Sequence, residues 1–107
     1  MKAVRHIALA ATFALAGTIA SASTEAWPSP NKTIQLIVPA PGGGGTGDTI
    51  ARILGERLAR RLGTSVVIDN KAGANGNIGA SAAAGAAPDG YRLLFSWAST
   101  LAVNPSL

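Results

Sequence analysis

The sequence predicts an α/β fold in which three parallel strands alternate with two helices. Three short runs, residues 33–38, 65–69 and 91–96, are apolar and rich in branched or aromatic side chains, as buried strands are. The segments between them change to helical periodicity or to alanine. Because strand–helix–strand connections are right-handed, a βαβαβ order makes the sheet parallel and places every strand-to-helix loop at one edge.

The first strand ends in a glycine-rich loop. Pro39 and Pro41 have no backbone N–H to give to a strand ladder, so the strand stops there. Five of the six residues from Gly42 to Gly47 are glycine, and a backbone without Cβ atoms lets a ligand approach closely. The loop lies between the carboxyl end of a strand and the positive end of a helix dipole, where an anion binds.

The helix after this loop is predicted to begin at Asp48, whose side chain is expected to act as its N-cap. Gly63 is expected to end the helix because glycine readily adopts a positive φ. The helical spacing predicts a buried face made of Ile50, Ile53, Leu54, Leu58 and Leu62.

Two further loops follow the second and third strands. Residues 70–76 are again rich in glycine, and an alanine-rich helix is predicted from Asn77 to Ala87. A Pro-Asp-Gly turn at residues 88–90 then precedes the third strand. Ligands of parallel α/β sheets bind outside the carboxyl ends of the strands. We therefore expect three loops to converge there, at residues 40–48, 70–77 and 97–100.

The first 22 residues are typical of a signal peptide. Lys2 and Arg5 precede an apolar run from Ile7 to Ala20, which is shorter than the roughly 20 residues of a membrane-spanning helix. Cleavage is predicted after Ala22, with Ala26 as the alternative, which leaves residues 23–107 as the mature part of the chain. The sequence thus predicts Sec export to the periplasm, without membrane insertion of the mature chain.

Composition excludes several function classes. The chain has no cysteine, so neither a disulfide nor a thiolate metal site is available. Without residues 1–22 the charge is seven basic against five acidic residues, which is not a nucleic-acid-binding balance. Arg57, Arg60 and Arg61 are interpreted as a solvated helix face.

No catalytic constellation is visible, so we expect a protein that is not an enzyme and needs neither cofactor nor metal. The one histidine, His6, lies in the predicted signal peptide. A dinucleotide-binding half-domain of an oxidoreductase is the alternative, since Gly42, Gly44 and Gly47 match G-x-G-x-x-G and Asp69 follows at about the expected offset of 20 residues. Against it, a glycine run matches that pattern by chance, and export argues against a nicotinamide enzyme.

Four motifs in a fixed order give the chain a family resemblance. They are Ile-Val-Pro-x-x-Gly-Gly-Gly followed by Asp and Ala-Arg (37–52), Val-Val-Ile-Asp-Asn-Lys-x-Gly-Ala-x-Gly-Asn-Ile-Gly (66–79), Ala-Pro-Asp-Gly-Tyr (87–91) and Asn-Pro-Ser-Leu (104–107). With these motifs the chain resembles the Bug or TctC family, the periplasmic solute-binding proteins of tripartite tricarboxylate transporters.

The resemblance implies the first lobe of a Venus-flytrap fold, incomplete at residue 107. It also implies capture of a small carboxylate, such as a di- or tricarboxylate or an amino acid, for the membrane subunits of a transporter. A truncated fragment without binding function is a further alternative. The loop of residues 39–48 is one residue longer than is usual in the family, and Lys71-Ala72 stands where Arg-Pro is common. By position, the implied ligand contacts are Ala40, Gly43, Gly44, Gly45, Thr46, Asn75, Gly76, Ser99 and Thr100.

Overall fold

A computed structural model of the 107-residue chain describes residues 25–106. The predicted signal peptide, residues 1–22, lies outside the described residues. The strands are β1 (Ile34–Val38), β2 (Val66–Asn70) and β3 (Arg92–Leu94), and the α-helices are α1 (Thr46–Leu62) and α2 (Asn77–Ala84). Shorter helical turns cover Ala74–Gly76, Ser99–Val103 and Asn104–Ser106.

The three strands form a parallel sheet in the order β2-β1-β3, which confirms the predicted α/β fold class. Central strand β1 is the most buried, and Leu36 lies between Ile68 of β2 and Leu93 of β3. The pairing continues beyond the three residues of β3, because Phe95 N–H donates to Ile37 O at 2.9 Å. The strand itself, Arg92–Leu94, is nevertheless shorter than the predicted third strand, residues 91–96.

Helix α1 packs on one face of the sheet through its small residues. Ala51 is fully buried, and a Cβ on Gly55 would lie 3.0 Å from Cδ1 of Ile68. A helix can lie this close to a sheet only where its side chains are small. The predicted buried face is therefore wrong at its first two positions, since Ile50 is 49% and Ile53 51% exposed.

The end of α1 follows the prediction. Gly63 has φ 65° and ψ 27°, in the left-handed region, and its N–H donates to Ala59 O at 3.0 Å. A residue with a Cβ is strained in that conformation, so glycine terminates the helix and lets the chain turn back to β2.

Helix α2 lies near the carboxyl end of β1 and is shorter than predicted. It ends at Ala84, with Gly85 as the C-cap residue whose N–H still donates to Ser81 O at 3.0 Å, and the predicted helical residues 85–87 lie outside it. Within the helix, a Cβ on Gly79 would lie 2.8 Å from Cβ of Pro39 and 3.0 Å from the carbonyl oxygen of Lys71. The helix approaches the sheet edge this closely because residue 79 has no side chain.

The chain before β1 is tied to the start of β3. Ser29 N–H donates to the Tyr91 hydroxyl oxygen at 2.9 Å, and the Trp27 and Tyr91 rings lie 6.1 Å apart. The Lys32 ammonium lies 4.3 Å from the centre of the Tyr91 ring. Within residues 25–106, no helix combines the length and apolar character that crossing a bilayer requires.

We expect Gly79→Ala to lower the free energy of unfolding by about 1–3 kcal/mol, because the added methyl group meets backbone atoms that cannot move aside. Gly85→Ala is the matched control. Gly85 has φ −84°, and a Cβ there would find only Ser81 O, at 3.4 Å, so this change should stay within about 1 kcal/mol of wild type. Urea unfolding of both variants measures the difference. Equal stability of the two would contradict the close approach of α2.

Candidate functional site

The glycine-rich loop after β1 folds back over a side chain of α1. Gly43 has φ 114° and Gly44 φ 96°, and a Cβ at either position would meet nothing within 4 Å. Glycine is therefore required there for backbone conformation rather than for space. The N–H groups of both residues donate to Oδ2 of Asp48, at 3.2 and 3.1 Å.

The Asp48 carboxylate is 1% exposed and has two further partners. Arg52 Nε donates to Oδ2 at 3.0 Å, and Asn70 Nδ2 donates to Oδ1 at 3.1 Å. The hydrogen bonds from Arg52, Asn70 and the Gly44 N–H hold the pKa of Asp48 well below its usual value. A buried carboxylate surrounded by donors in this way stays ionised.

The prediction that Asp48 is the N-cap is wrong. Helix α1 begins at Thr46, its N-cap residue is Gly45, and no side chain caps it. Asp48 lies three positions inside the helix, so its carboxylate reaches back past the helix start to Gly43 and Gly44. The side chain thus orders the loop instead of binding the first helical N–H groups.

This arrangement divides the donors of the first loop into two sets. Gly43 and Gly44, both predicted ligand contacts, donate to the protein's own carboxylate. The N–H groups from Gly45 to Asp48 belong to the first turn of α1 and have no intrahelical acceptor, since the first helical hydrogen bond is Thr49 N–H to Gly45 O at 2.9 Å. Because such groups favour an anion, the first turn of α1 is the candidate anion site.

The third loop contacts the first through Trp97. A Cβ on Gly47 would lie 3.0 Å from Cζ3 of the Trp97 ring and 3.8 Å from Cβ of Ala40. The indole, 36% exposed, therefore covers the first turn of α1. Ala40 is fixed from the other side, because its carbonyl oxygen accepts a hydrogen bond from Asn70 Nδ2 at 3.2 Å.

The second and third loops are packed together without a gap. Gly76 has φ 91°, and a Cβ there would overlap Oγ1 of Thr100. Thr100 is 3% exposed and its hydroxyl donates to Asn75 O at 3.2 Å. Asn75 and Gly76 are thus brought to Thr100 as predicted, and the Thr100 hydroxyl proton is used to join the loops.

Asn104, in the third loop region, also holds the second loop through hydrogen bonds. Its Nδ2 donates to Asn75 O and to Oδ1 of Asn77, both at 2.9 Å, and its Oδ1 accepts from Asn75 Nδ2 at 2.7 Å. Asn75 has φ 53°, a left-handed conformation that asparagine tolerates better than most residues. The three asparagines hold the second loop in this shape.

Ser99 and Ser96 are two hydroxyl groups at this edge. Ser99, a predicted ligand contact, is partly buried at the start of the helical turn after Trp97. Ser96, which sequence analysis placed at the end of the third strand, has a buried hydroxyl without a hydrogen-bond partner among the described residues.

Sequence reasoning missed Asn70, Trp97 and Asn104 as residues that shape the site. Each contacts a residue that is distant in the sequence. The Asn104–Asn77 and Asn70–Ala40 hydrogen bonds, for example, join residues 27 and 30 positions apart. The available signal was position alone, since Asn70 and Trp97 each follow a predicted strand.

A cavity of about 420 Å³ lies at the opposite, amino end of the sheet. Among its lining residues, Lys32 is paired with Asp89 at 3.7 Å. Two of its charged side chains, Lys32 and Asp89, are therefore already paired with each other. The unpaired N–H groups at the start of α1 make the loop edge the better candidate for binding. Among residues 25–106, no three His, Cys, Asp or Glu side chains cluster as metal ligands do.

In a parallel α/β sheet, ligands bind at the edge where the strand-to-helix loops lie, and this chain presents N–H and hydroxyl groups there. Residues 50–107 match the model of the tripartite tricarboxylate transporter family receptor, TctC. The chain belongs to this family. It is 46% identical over 109 residues to the protein BugT of Bordetella pertussis, with all of this chain and 32% of BugT covered.

Solved structures give the same result. A structure described as a periplasmic transporter is 51% identical, with a TM-score of 0.68 over 76% of this chain and 26% of the other. The R. palustris protein Rpa4515 with adipate is 38% identical, with a TM-score of 0.62 over 69% of this chain and 24% of the other. The chain thus spans about a third of the length of its curated relative and about a quarter of these structures.

Nothing supports the dinucleotide-binding alternative. The Asp69 carboxylate, which would have bound a ribose, accepts from Gln35 Nε2 at 2.6 Å and is paired with Lys71 at 3.3 Å. The family match places residues 50–107, which include Asp69, in a different class of protein.

The lowered pKa of Asp48 fixes the sign of a pH dependence. The stabilisation by this carboxylate is complete above its unfolded value of 3.8 and is lost as the pH falls below that value towards the folded pKa. We therefore expect Asp48→Asn to be less stable than wild type at neutral pH and the difference to shrink below about pH 4. Urea unfolding from about pH 7 to about pH 2.5 measures it.

The matched control is Glu56→Gln. Glu56 forms an i,i+4 pair with Arg60, as Asp48 does with Arg52, but at 4.0 Å and with a 72% exposed side chain. Its loss should change the free energy of unfolding by less than about 0.5 kcal/mol at any pH. A pH-independent difference between Asp48→Asn and wild type would contradict an ionised, stabilising Asp48.

The asparagine contact predicts an effect at the second loop. Asn104→Ala removes three side-chain hydrogen bonds, so we expect a loss of about 1–2 kcal/mol of stability and faster amide exchange at Gly76 and Asn77. Asn31→Ala is the control, since Asn31 is exposed and has no side-chain hydrogen bond to a described residue. Unchanged exchange at Gly76 would mean that Asn104 does not hold this loop.

Proposed function

We propose that this chain is the ligand-binding part of an exported receptor that captures a small carboxylate, such as a di- or tricarboxylate or an amino acid. One observation carries the proposal: the first turn of α1, whose N–H groups have no intrahelical acceptor, lies against the Trp97 ring of the third loop. A carboxylate is bound well by such donors and by the positive end of the helix dipole, without a cationic side chain.

The relatives support this ligand class. Rpa4515, a similar solved structure, holds adipate, a linear dicarboxylate. The first carboxylate would bind at Gly45 and Thr46, beside Ala40, with Ser99 as a hydroxyl donor. Asn75, Gly76 and Thr100 would form the neighbouring wall of the site. Gly43 and Gly44, whose N–H groups bind Asp48, would shape the loop.

The family also supports a location and a partner. A receptor of a tripartite tricarboxylate transporter would work in the periplasm and deliver its ligand to the membrane subunits of that transporter. The predicted signal peptide of residues 1–22 is consistent with that route. The role that we infer is binding and delivery rather than catalysis, as the description of the family as a receptor supports.

Titration with adipate tests the proposal. We expect saturable binding by calorimetry and a rise in melting temperature with adipate concentration. Ser99→Ala should weaken binding about tenfold or more, because a hydrogen bond to a charged group is worth about 1.5–3 kcal/mol. Ser81→Ala, a change of the same size at an exposed position on α2, should leave the affinity unchanged.

Two results would count against the proposal. The first is no response to adipate or to a shorter or longer dicarboxylate. The second is an equal loss of affinity in Ser99→Ala and Ser81→Ala, since this would show that the hydroxyl at residue 99 is not at the site.

A further inference from the structure

We propose that Asp48 is a positioning residue, an internal anion that holds the glycine-rich loop in its binding conformation together with Asn70 and Arg52. This inference rests on the proposed function for its consequence, ligand affinity. Its structural part, the tethering of the loop, stands on the geometry alone.

The geometry gives one buried carboxylate four donors from three parts of the chain. Oδ2 accepts from Gly43 N–H, Gly44 N–H and Arg52 Nε, at 3.2, 3.1 and 3.0 Å. Oδ1 accepts from Asn70 Nδ2 at 3.1 Å. The carboxylate therefore joins the loop, the helix that follows it and the end of the neighbouring strand.

Asn70 contacts the loop at its beginning as well as at Asp48. The same Nδ2 that donates to Asp48 also donates to Ala40 O at 3.2 Å, at the beginning of the loop. Oδ1 of Asn70 faces Gly42, where a Cβ would lie only 3.0 Å away. One side chain from β2 thus fixes both ends of the loop, and Gly42 leaves the space that it needs.

The loop needs such a tether because of its composition. Four consecutive glycines, Gly42 to Gly45, have more conformational freedom to lose than any other sequence of that length. If the loop is already ordered before the ligand arrives, the entropy lost in ordering it does not weaken ligand binding. Asp48 orders it through the two residues with positive φ, Gly43 and Gly44.

The charge of the tether is balanced where it lies. Arg52 neutralises Asp48 at 3.0 Å, so an anionic ligand at the start of α1 meets no uncompensated negative charge. The tether also removes the Gly43 and Gly44 N–H groups from ligand binding. The ligand carboxylate is left with the N–H groups from Gly45 onward.

A charge transposition between two neighbouring side chains tests this inference. Asn70→Asp alone places two carboxylates in contact, and Asp48→Asn alone removes the anion, so each should weaken adipate binding by about tenfold or more. The double variant Asp48→Asn/Asn70→Asp restores one carboxylate and one amide at this contact. It should recover part of the lost affinity, as expected for directly coupled residues, but not all of it, because the carboxylate of Asn70→Asp cannot donate to Ala40 O.

Amide signals of Gly43 and Gly44 provide a readout that does not depend on a ligand. In each single variant we expect both amide protons to shift and to lose protection from hydrogen exchange, while Gly63, at the other end of α1, keeps its protection. Arg52→Gln, which removes one donor from an exposed position, should give a smaller effect of the same kind and serves if a single variant at Asp48 does not fold. Glu56→Gln is the control, because it removes an exposed carboxylate from the same helix.

The outcomes separate the two proposals. Unchanged Gly43 and Gly44 signals in the folded single variants would overturn the tether. Altered signals with unchanged adipate affinity would overturn its role in positioning. If wild type binds neither adipate nor a shorter or longer dicarboxylate while these signals respond as expected, the proposed function fails and the tether holds.

Discussion

The site depends on one buried charge, the Asp48 carboxylate. An ionised group that is 1% exposed is tolerated only when donors surround it, and here the donors come from the loop, from α1 and from β2. Satisfying the carboxylate therefore fixes the relative positions of the three segments. The first turn of α1 has no side-chain cap, because its N-cap residue, Gly45, has no side chain and the Asp48 carboxylate reaches back to Gly43 and Gly44.

The rest of the architecture brings the other loops to the same edge. In a parallel sheet the strands end side by side, so the segments after β1, β2 and β3 meet. Small residues let them approach closely. The Trp97 ring packs against Gly47, and the Thr100 side chain packs against Gly76. Gly79 lets α2 pack against Pro39. The glycines of this sequence thus have different tasks, since some supply an unusual φ and others supply space.

Local sequence patterns were sufficient where the local chain decides the structure. The prolines ended β1, Gly63 ended α1, and the order of strands and helices led to a parallel sheet. The same patterns did not predict which side of α1 packs on the sheet. The helical spacing placed Ile50 and Ile53 inside, yet the smaller Ala51 and Gly55 face the sheet, because the distance between helix and sheet is set by the smallest residues on the helix.

The sequence by itself determined the α/β class, the three loops at one edge and the resemblance to the receptor family that the comparisons confirm. Only the tertiary structure decided which N–H groups of the first loop are occupied and which residues hold the loops together. Asp48, Asn70 and Asn104 act through hydrogen bonds whose partners lie on other segments. A hydrogen bond depends on the position and direction of both partners, and spacing along the chain does not specify either of them across a fold.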